Sequence, residues 1–438
     1  MATHCTAGIA ALTHWLTPQV WKQAHQVHRP RQAPQRWNLH PLVMVMVLMT
    51  WTTGNSEAER FAAARAFYVA RHQREKRPGE SLQGFQQALA KLPLPVLHAL
   101  FAAVRQRLIH LYHRYWSSNG FVVVACDGSR LECPRSAELE KRLGCCSKQD
   151  SAPMLYVTAL VLLPAGLLWS WCVGPGTASE HAQLRQLLNT LPRCALLVAD
   201  ACYLGYDLYA SILQVRASFL VRVSSRAYLY TDQREPLKRY RQGLVWYWPR
   251  QARKAGQPPL RLRLIRIRGK KGKDVWLLTS VLEPERLSRR QLAEIYRWRW
   301  RIEGVFRTYK RTLPKLKLWS RTEALAYREA EVSLLALQLL LVQGVRQRRS
   351  GTVLVLRSPR QMLLRMRGEI TTTIGAKLGP RQQRRYRLQL EQLRRGGPGK
   401  KVRRKWPRRQ EHIPPKPPHL RVMPTRLKAQ VHNQFNAV

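Results

Sequence analysis

The sequence predicts an α/β protein: a helical region over residues 1–118, a sheet-centred domain over 119–348 and a basic C-terminal region over 349–438. Three observations carry this expectation. Over 1–118 the apolar and polar residues mix at helical spacing. From Phe121 onward, short apolar β-rich runs alternate with helix-length segments, the pattern of a central sheet. From 351 to the end, 22 Lys and Arg stand against 3 Glu.

In chain order, Asn55-Ser56-Glu57 opens a first helix, Ser81 begins another, and 94–115 is amphipathic. The sheet-centred domain starts with Phe121-Val122-Val123-Val124-Ala125-Cys126, a strand expected to end at Asp127-Gly128-Ser129. Val/Leu-rich halves near 155–163 and 167–173 flank Pro164-Ala165-Gly166 and predict a buried β-hairpin. A helix over 180–191 follows. A second apolar strand over 194–199 then ends in Asp200, and a helix near 205–214 leads to a strand over 219–223.

Residues 224–283 read as a β-rich insertion, with strands at 228–230, 244–248, 260–267 and 275–281. In the third, Leu262 and Leu264 alternate with Arg261 and Arg263, and then the phase slips so that Ile265 and Ile267 alternate with Arg266 and Arg268. A β-bulge near Leu264-Ile265 is expected to keep both halves on one core and the arginines on the other face. Ser288-Arg289-Arg290-Gln291 fits a capping box, so a helix begins there and ends at Pro314. A further apolar helix covers about 323–345. After about 396 the Pro and Lys/Arg content predicts a disordered tail.

The chain has 438 residues, 76 Lys and Arg, 25 Asp and Glu, a formal net charge of +51 and a pI of about 11.3. Its 45% hydrophobic content excludes a wholly disordered chain. A positive charge this large points to a polyanionic partner, most commonly nucleic acid. The eight cysteines form no C-x-x-C and no tight Cys/His cluster of zinc-ligand spacing, which suits a reducing, cytoplasmic setting. Cys126, Cys172, Cys194 and Cys202 sit in apolar or small-residue surroundings. The apolar stretch 41–51 is too short to span a bilayer, and no membrane association is expected.

Only six aspartates occur, and Asp127 and Asp200 each follow an apolar strand. Functional groups gather at the carboxyl ends of strands in such sheets, and two carboxylates brought side by side there suit a divalent cation. Each Asp also fits a plainer role, as a turn or helix cap. On the helix after Ser288, Tyr296, Arg299, Glu303 and Lys310 fall at roughly 0°, 300°, 340° and 320° of a regular α-helical wheel. Glu303 would therefore stand among cations at the rim of a stripe formed by Ile295, Trp298, Ile302, Val305, Phe306 and Tyr309. Alternatively it pairs along its own helix with Arg299 or Arg307.

Asp127-Gly128-Ser129, Asp200-Ala201-Cys202-Tyr203 and the pattern Y-x2-R-x3-E-x6-K at Tyr296, Arg299, Glu303 and Lys310 together resemble the DDE transposases of bacterial insertion sequences, most closely the IS-four family. The resemblance covers about 120–345, with Cys202 where many relatives have Gly. It implies a ribonuclease H-like catalytic core with a β-rich insertion, in which Asp127, Asp200 and Glu303 are the catalytic residues. They would bind two Mg²⁺, with Mn²⁺ as a substitute, while Tyr296, Arg299 and Lys310 hold DNA.

The implied activity is cut-and-paste DNA transposition: nicking at the element ends, strand transfer into target DNA by the freed 3′-hydroxyl and, in well-studied relatives, a hairpin intermediate. The implied partners are double-stranded DNA, as inverted-repeat ends and target, and a second copy in a paired-end homodimer. The implied setting is the bacterial nucleoid. In the insertion, Trp246 or Trp248 could stack on a flipped base, although burial is the commoner fate of a strand tryptophan. Two other readings share these residues: a ribonuclease H-like nuclease without strand transfer, and a catalytically inactive basic DNA-binding protein.

Overall fold

The computed structural model describes residues 8–27, 36–113, 116–144, 151–163, 165–232, 239–269, 274–347, 354–375, 384 and 416–435. Before the sheet come the helices Pro18–Val27, Leu39–Trp51, Glu57–Arg71, Leu82–Lys91 and Leu94–Tyr112. Ser56 and Ser81 cap two of them through their hydroxyls, as the sequence predicts. Leu39–Trp51 is apolar on every side and almost wholly buried. It packs against Glu323–Gln343, a second helix buried nearly all round. No single helix among the described residues is long and apolar enough to cross a membrane.

Eleven strands form one sheet: β1 (Ser117–Ser118), β2 (Phe121–Glu132), β3 (Met154–Leu162), β4 (Leu167–Pro175), β5 (Ala195–Ala199), β6 (Ser218–Val223), β7 (Tyr228–Thr231), β8 (Gln242–Tyr247), β9 (Leu260–Ile267), β10 (Val275–Thr279) and a C-terminal strand, His419–Val422. In space the order from that C-terminal strand is β7-β8-β9-β10-β6-β5-β2-β3-β4, with β1 beside β2. β2, β5 and β6 are mutually parallel; β3 and β4 form the expected hairpin beside β2. Gly166 turns that hairpin at φ +69, a backbone region that disfavours a side chain. One hydrophobic core runs from the N-terminal helices through the sheet to Glu323–Gln343, so position 118 divides helical from sheet-forming chain but not two separate cores.

Several expectations change. β2 does not stop at Asp127 but continues to Glu132, because its far half pairs with β3 from Asp127↔Ala159 to Glu132↔Met154. The strands of 224–283 extend the same sheet, since β10 pairs with β6. No bulge interrupts β9: its register with both β8 and β10 is continuous through Leu264 and Ile265. The slip in phase is absorbed by burying Arg263, whose guanidinium donates to the carbonyls of Leu282 and Leu287. The arginines therefore do not share one face: Arg261, over the Trp246 ring, and Arg263 lie on one, and Arg266, which pairs with Asp274 at 2.5 Å, lies on the other.

The expected disorder after about 396 does not extend to 416–435. There, His419–Val422 adds parallel to β7, and the helix Thr425–Phe435 follows. Buried Met423 and Val431 and the stacking of His419 on Tyr228 anchor this return. Residues 385–415 lie outside the described residues. Cys194 and Cys202 are exposed rather than packed among apolar neighbours, while Cys126 is buried.

Candidate active site

Parallel pairing builds the site. The register Val122↔Ala195 to Ala125↔Val198 carries Asp127 and Asp200 to the same level on adjacent strands. The next register, Leu196↔Ser218 to Ala199↔Val221, brings Arg222 to that level as well. Adjacent strands lie about 4.8 Å apart, so the three residues form a short row at the carboxyl end of the parallel strands. Pairing between β2 and β5 ends just before the row, while Asp127 stays paired with Ala159 of β3. Each is fixed locally: Asp127 Oδ1 accepts the Gly128 N–H at 2.8 Å, and Asp200 Oδ1 accepts the Cys202 N–H at 2.8 Å as the cap of a short 3₁₀ turn. The capping role weighed for Asp200 is thus real and coexists with its place in the row.

Gly128 is demanded by packing. A Cβ there would lie 1.6 Å from the buried Tyr156 hydroxyl. The aspartate–glycine step keeps β2 close to Tyr156 and so sets the height of Asp127.

Glu303 arrives from the opposite wall. The capping box at Ser288 and Gln291 forms with both of its hydrogen bonds. The helix it starts is not one regular cylinder, however. It runs over Arg289–Trp298, breaks at Arg299, resumes over Trp300–Arg307 and ends in a π-helical turn, Thr308–Thr312. The buried stripe survives at Ile295, Ile302, Val305, Phe306 and Tyr309, while Trp298 is half-buried.

Arg299, 8% exposed, reaches between the walls: its guanidinium is 3.9 Å from Asp127 Oδ2 and 3.5 Å from Glu303 Oε1. It therefore makes the within-helix pair expected as the plainer role of Glu303 and also ties that helix to β2. Tyr296 is half-buried below Arg299, with its ring 5.9 Å from the guanidinium carbon. Burial raises its hydroxyl's pKa, and Arg299 and Arg222 oppose the rise. Lys310 differs. The π-turn departs from the 100° step that placed it beside Glu303. Its pKa is lowered by burial and by Arg130.

The electrostatics mark Asp127 out. Its pKa is pushed up to about 6, first by burial and then by Asp200 and Glu303, against the pull of the Gly128 N–H and Arg299. The three carboxylates repel one another, and a divalent cation between them would relieve that repulsion, although their oxygens do not all lie within 4.8 Å of one another in this arrangement.

Two neighbours carry no sequence signal of their own. Arg222 sits in an ordinary apolar strand and enters the row only through the register. Trp300 is 64% exposed beside Arg299, whose guanidinium carbon lies 5.3 Å from its ring centre. Neither tryptophan suggested for stacking is well placed for it: Trp248 is buried with its N–H on the Gln257 carbonyl, and Trp246 is half-buried under Arg261.

The family model described as "Transposase DDE domain" matches residues 119–339, just over half of the chain. The chain belongs to this DDE transposase family. The matched span contains the Asp127–Asp200–Arg222 row and Glu303. No curated protein sequence matches the chain. Among solved structures, one described as "Cryo-EM structure of piggyBac transposase synaptic complex with hairpin DNA" is similar at 11% identity and a TM-score of 0.42, covering 91% of this chain and 86% of that one.

Proposed function

We propose that this DDE transposase is of the IS-four type and moves its element by cut-and-paste, with Asp127, Asp200 and Glu303 as its catalytic carboxylates. The observation that carries the reading is the in-register pair Asp127 and Asp200 faced by Glu303 across Arg299. The ribonuclease H-like reading of 119–348 is supported by the three parallel strands and the hairpin beside β2. We take 1–118 as the helical N-terminal unit, 224–283 as the insertion and 349–438 as the basic C-terminal region.

The three carboxylates would hold divalent cations, Mg²⁺ being the first candidate, which supply an activated oxygen nucleophile and neutralise a leaving oxygen. The protein's own groups do the rest. Arg299 holds Asp127 and Glu303 at a fixed separation and neutralises part of their charge while DNA is absent. Arg222 and Tyr296 lie where a terminal phosphate would approach, and an arginine there can fork onto two phosphate oxygens. The positive charge of the whole chain draws duplex DNA to this edge. Double-stranded element ends and target DNA are the partners this chemistry calls for, with two copies of the chain pairing two ends.

The test is cleavage of a duplex carrying the element's terminal repeat, with Mg²⁺ present. Asp127→Ala, Asp200→Ala and Glu303→Ala proteins are expected to bind the duplex and fail to cut it. Undiminished cutting by any of them overturns the assignment. A supercoiled target in the same reaction separates strand transfer from hydrolysis alone.

A further inference from the structure

Away from the carboxylates, the N-terminal helices bring together His40, His72 and Glu75. One donor atom from each lies within 4.8 Å of the other two, and no other group of three such residues meets this condition among the described residues. His40 comes from the buried helix Leu39–Trp51. His72 caps the C-terminus of Glu57–Arg71, and Glu75 follows in the next turn, where its N–H donates to the His72 carbonyl at 3.1 Å.

The hydrogen bonds fix both imidazoles in one form. His72 Nδ1 lies 2.9 Å from the Tyr68 carbonyl; a carbonyl only accepts, so Nδ1 carries the proton. The Tyr68 hydroxyl donates to Glu75 Oε2 at 2.9 Å, so at its other contact, 2.8 Å from His40 Nδ1, it accepts, and that nitrogen also carries its proton. Each ring is left with a lone pair on Nε2. A histidine held by Nδ1–H on an oxygen acceptor, with Nε2 unprotonated, is the usual state of a metal ligand. Burial lowers the pKa of His40, further favouring the neutral ring. The two imidazoles also line a cavity of about 350 Å³ beside Trp21 and Met44.

We propose that His40, His72 and Glu75 form a binding site for a divalent transition metal of the zinc type, separate from the carboxylate site on the sheet. Two neutral imidazoles and one carboxylate suit Zn²⁺, which holds such donors at about 2.0–2.2 Å in a tetrahedron with room for a fourth ligand. Mg²⁺ prefers an octahedral set of oxygens and is a poor fit. The ion would join the turn after Glu57–Arg71 to the buried helix beneath it. That turn exposes Arg74, Lys76 and Arg77, so the site would set the position of three cations on the N-terminal region.

The test uses full-length protein in which Asp127→Asn, Asp200→Asn and Glu303→Gln neutralise the other carboxylates. Zinc bound per chain is measured by elemental analysis after dialysis against Zn²⁺ buffered with a chelator and excess Mg²⁺. About one Zn²⁺ per chain is expected, with a higher melting temperature. Adding Glu75→Gln, which keeps an acceptor for Tyr68, or His72→Ala should weaken binding at least tenfold and remove the zinc-dependent rise in melting temperature. Glu75 is exposed, so its variant is expected to fold even if an imidazole variant does not. No zinc on the triad-neutral protein, or equal zinc binding after Glu75→Gln and His72→Ala, overturns the proposal.

Discussion

Replacing Asp127 by Asn should stabilise the metal-free protein while disabling it. In the folded chain the Asp127 carboxyl titrates at about 6 instead of its ordinary 3.8, because burial and the charges of Asp200 and Glu303 oppose its ionisation. Its side chain is 25% exposed, so the cost is largely unscreened. At about 1.4 kcal/mol per factor of ten, ionised Asp127 costs the fold roughly 3 kcal/mol above pH 7.

The sign follows from the raised value. Below pH 3.8 the group is protonated in both states and costs nothing; the cost grows through the window from about 4 to 6 and is then constant. Asn carries no charge and can keep the hydrogen bond from the Gly128 N–H. Arg299 retains Glu303 as a partner. Urea unfolding in EDTA is therefore expected to show Asp127→Asn more stable than wild type by up to about 3 kcal/mol at pH 7.5, and by roughly half as much at pH 5. Stabilisation by added Mn²⁺ or Mg²⁺ should shrink in the variant. A variant no more stable than wild type at pH 7.5, or one whose advantage does not change with pH, would refute the claim that crowded negative charge is stored at this position.

Further outcomes follow from other parts of the fold. Lys315→Met breaks the buried 2.7 Å pair with Glu329 and leaves that carboxylate with only the Trp319 and Ser320 donors; a loss of about 3–5 kcal/mol is expected in chemical denaturation. Burial of Glu329 opposes its ionisation, but Lys315 and these hydrogen bonds outweigh it and lower its pKa. Its contribution is therefore present above the ordinary carboxylate range and lost as pH falls through the lowered folded value, which an acid titration of stability in wild type and Lys315→Met would reveal. Gly128→Ala places a methyl group against the Tyr156 hydroxyl and should cost about 1–3 kcal/mol while displacing Asp127, read as lost cleavage with DNA binding retained. Arg222→Ala should reduce end cleavage and lower the slope of log affinity against log salt by about 1, as for one lost phosphate contact; an unchanged slope and rate would remove Arg222 from the DNA path.

Much of the proposed site was legible because its signals are local. An apolar strand closing on an aspartate marks Asp127 and Asp200, and a capping box followed by spaced aromatic, cationic and acidic residues marks the helix that carries Glu303. What was not legible depends on distant chain. Arg222 looks like one charge in an apolar strand until two registers place it in one row with Asp200 and Asp127. The alternation slip in β9 suggested a bulge, whereas the sheet and the chain near Leu282 and Leu287 provide carbonyls for a buried Arg263. Lys310 was placed by a constant helical step that a π-turn does not keep. His40 and His72 stand too far apart in sequence to look like ligands, and the chain near Met423 has too few apolar residues to advertise its return to the sheet.

By itself, then, the sequence determined the sheet-forming segments, the helix starts, the cationic character and the three acidic residues worth suspecting. Each of these follows from the side-chain period of a strand or helix, or from simple charge, and needs no partner to be recognised. Tertiary structure alone decided that Asp127 and Asp200 stand level, that Arg299 spans the gap to Glu303, and that Asp127 resists ionisation. Register, burial and the field of neighbouring charges are set by segments far apart in the chain, and they exist only once those segments have packed.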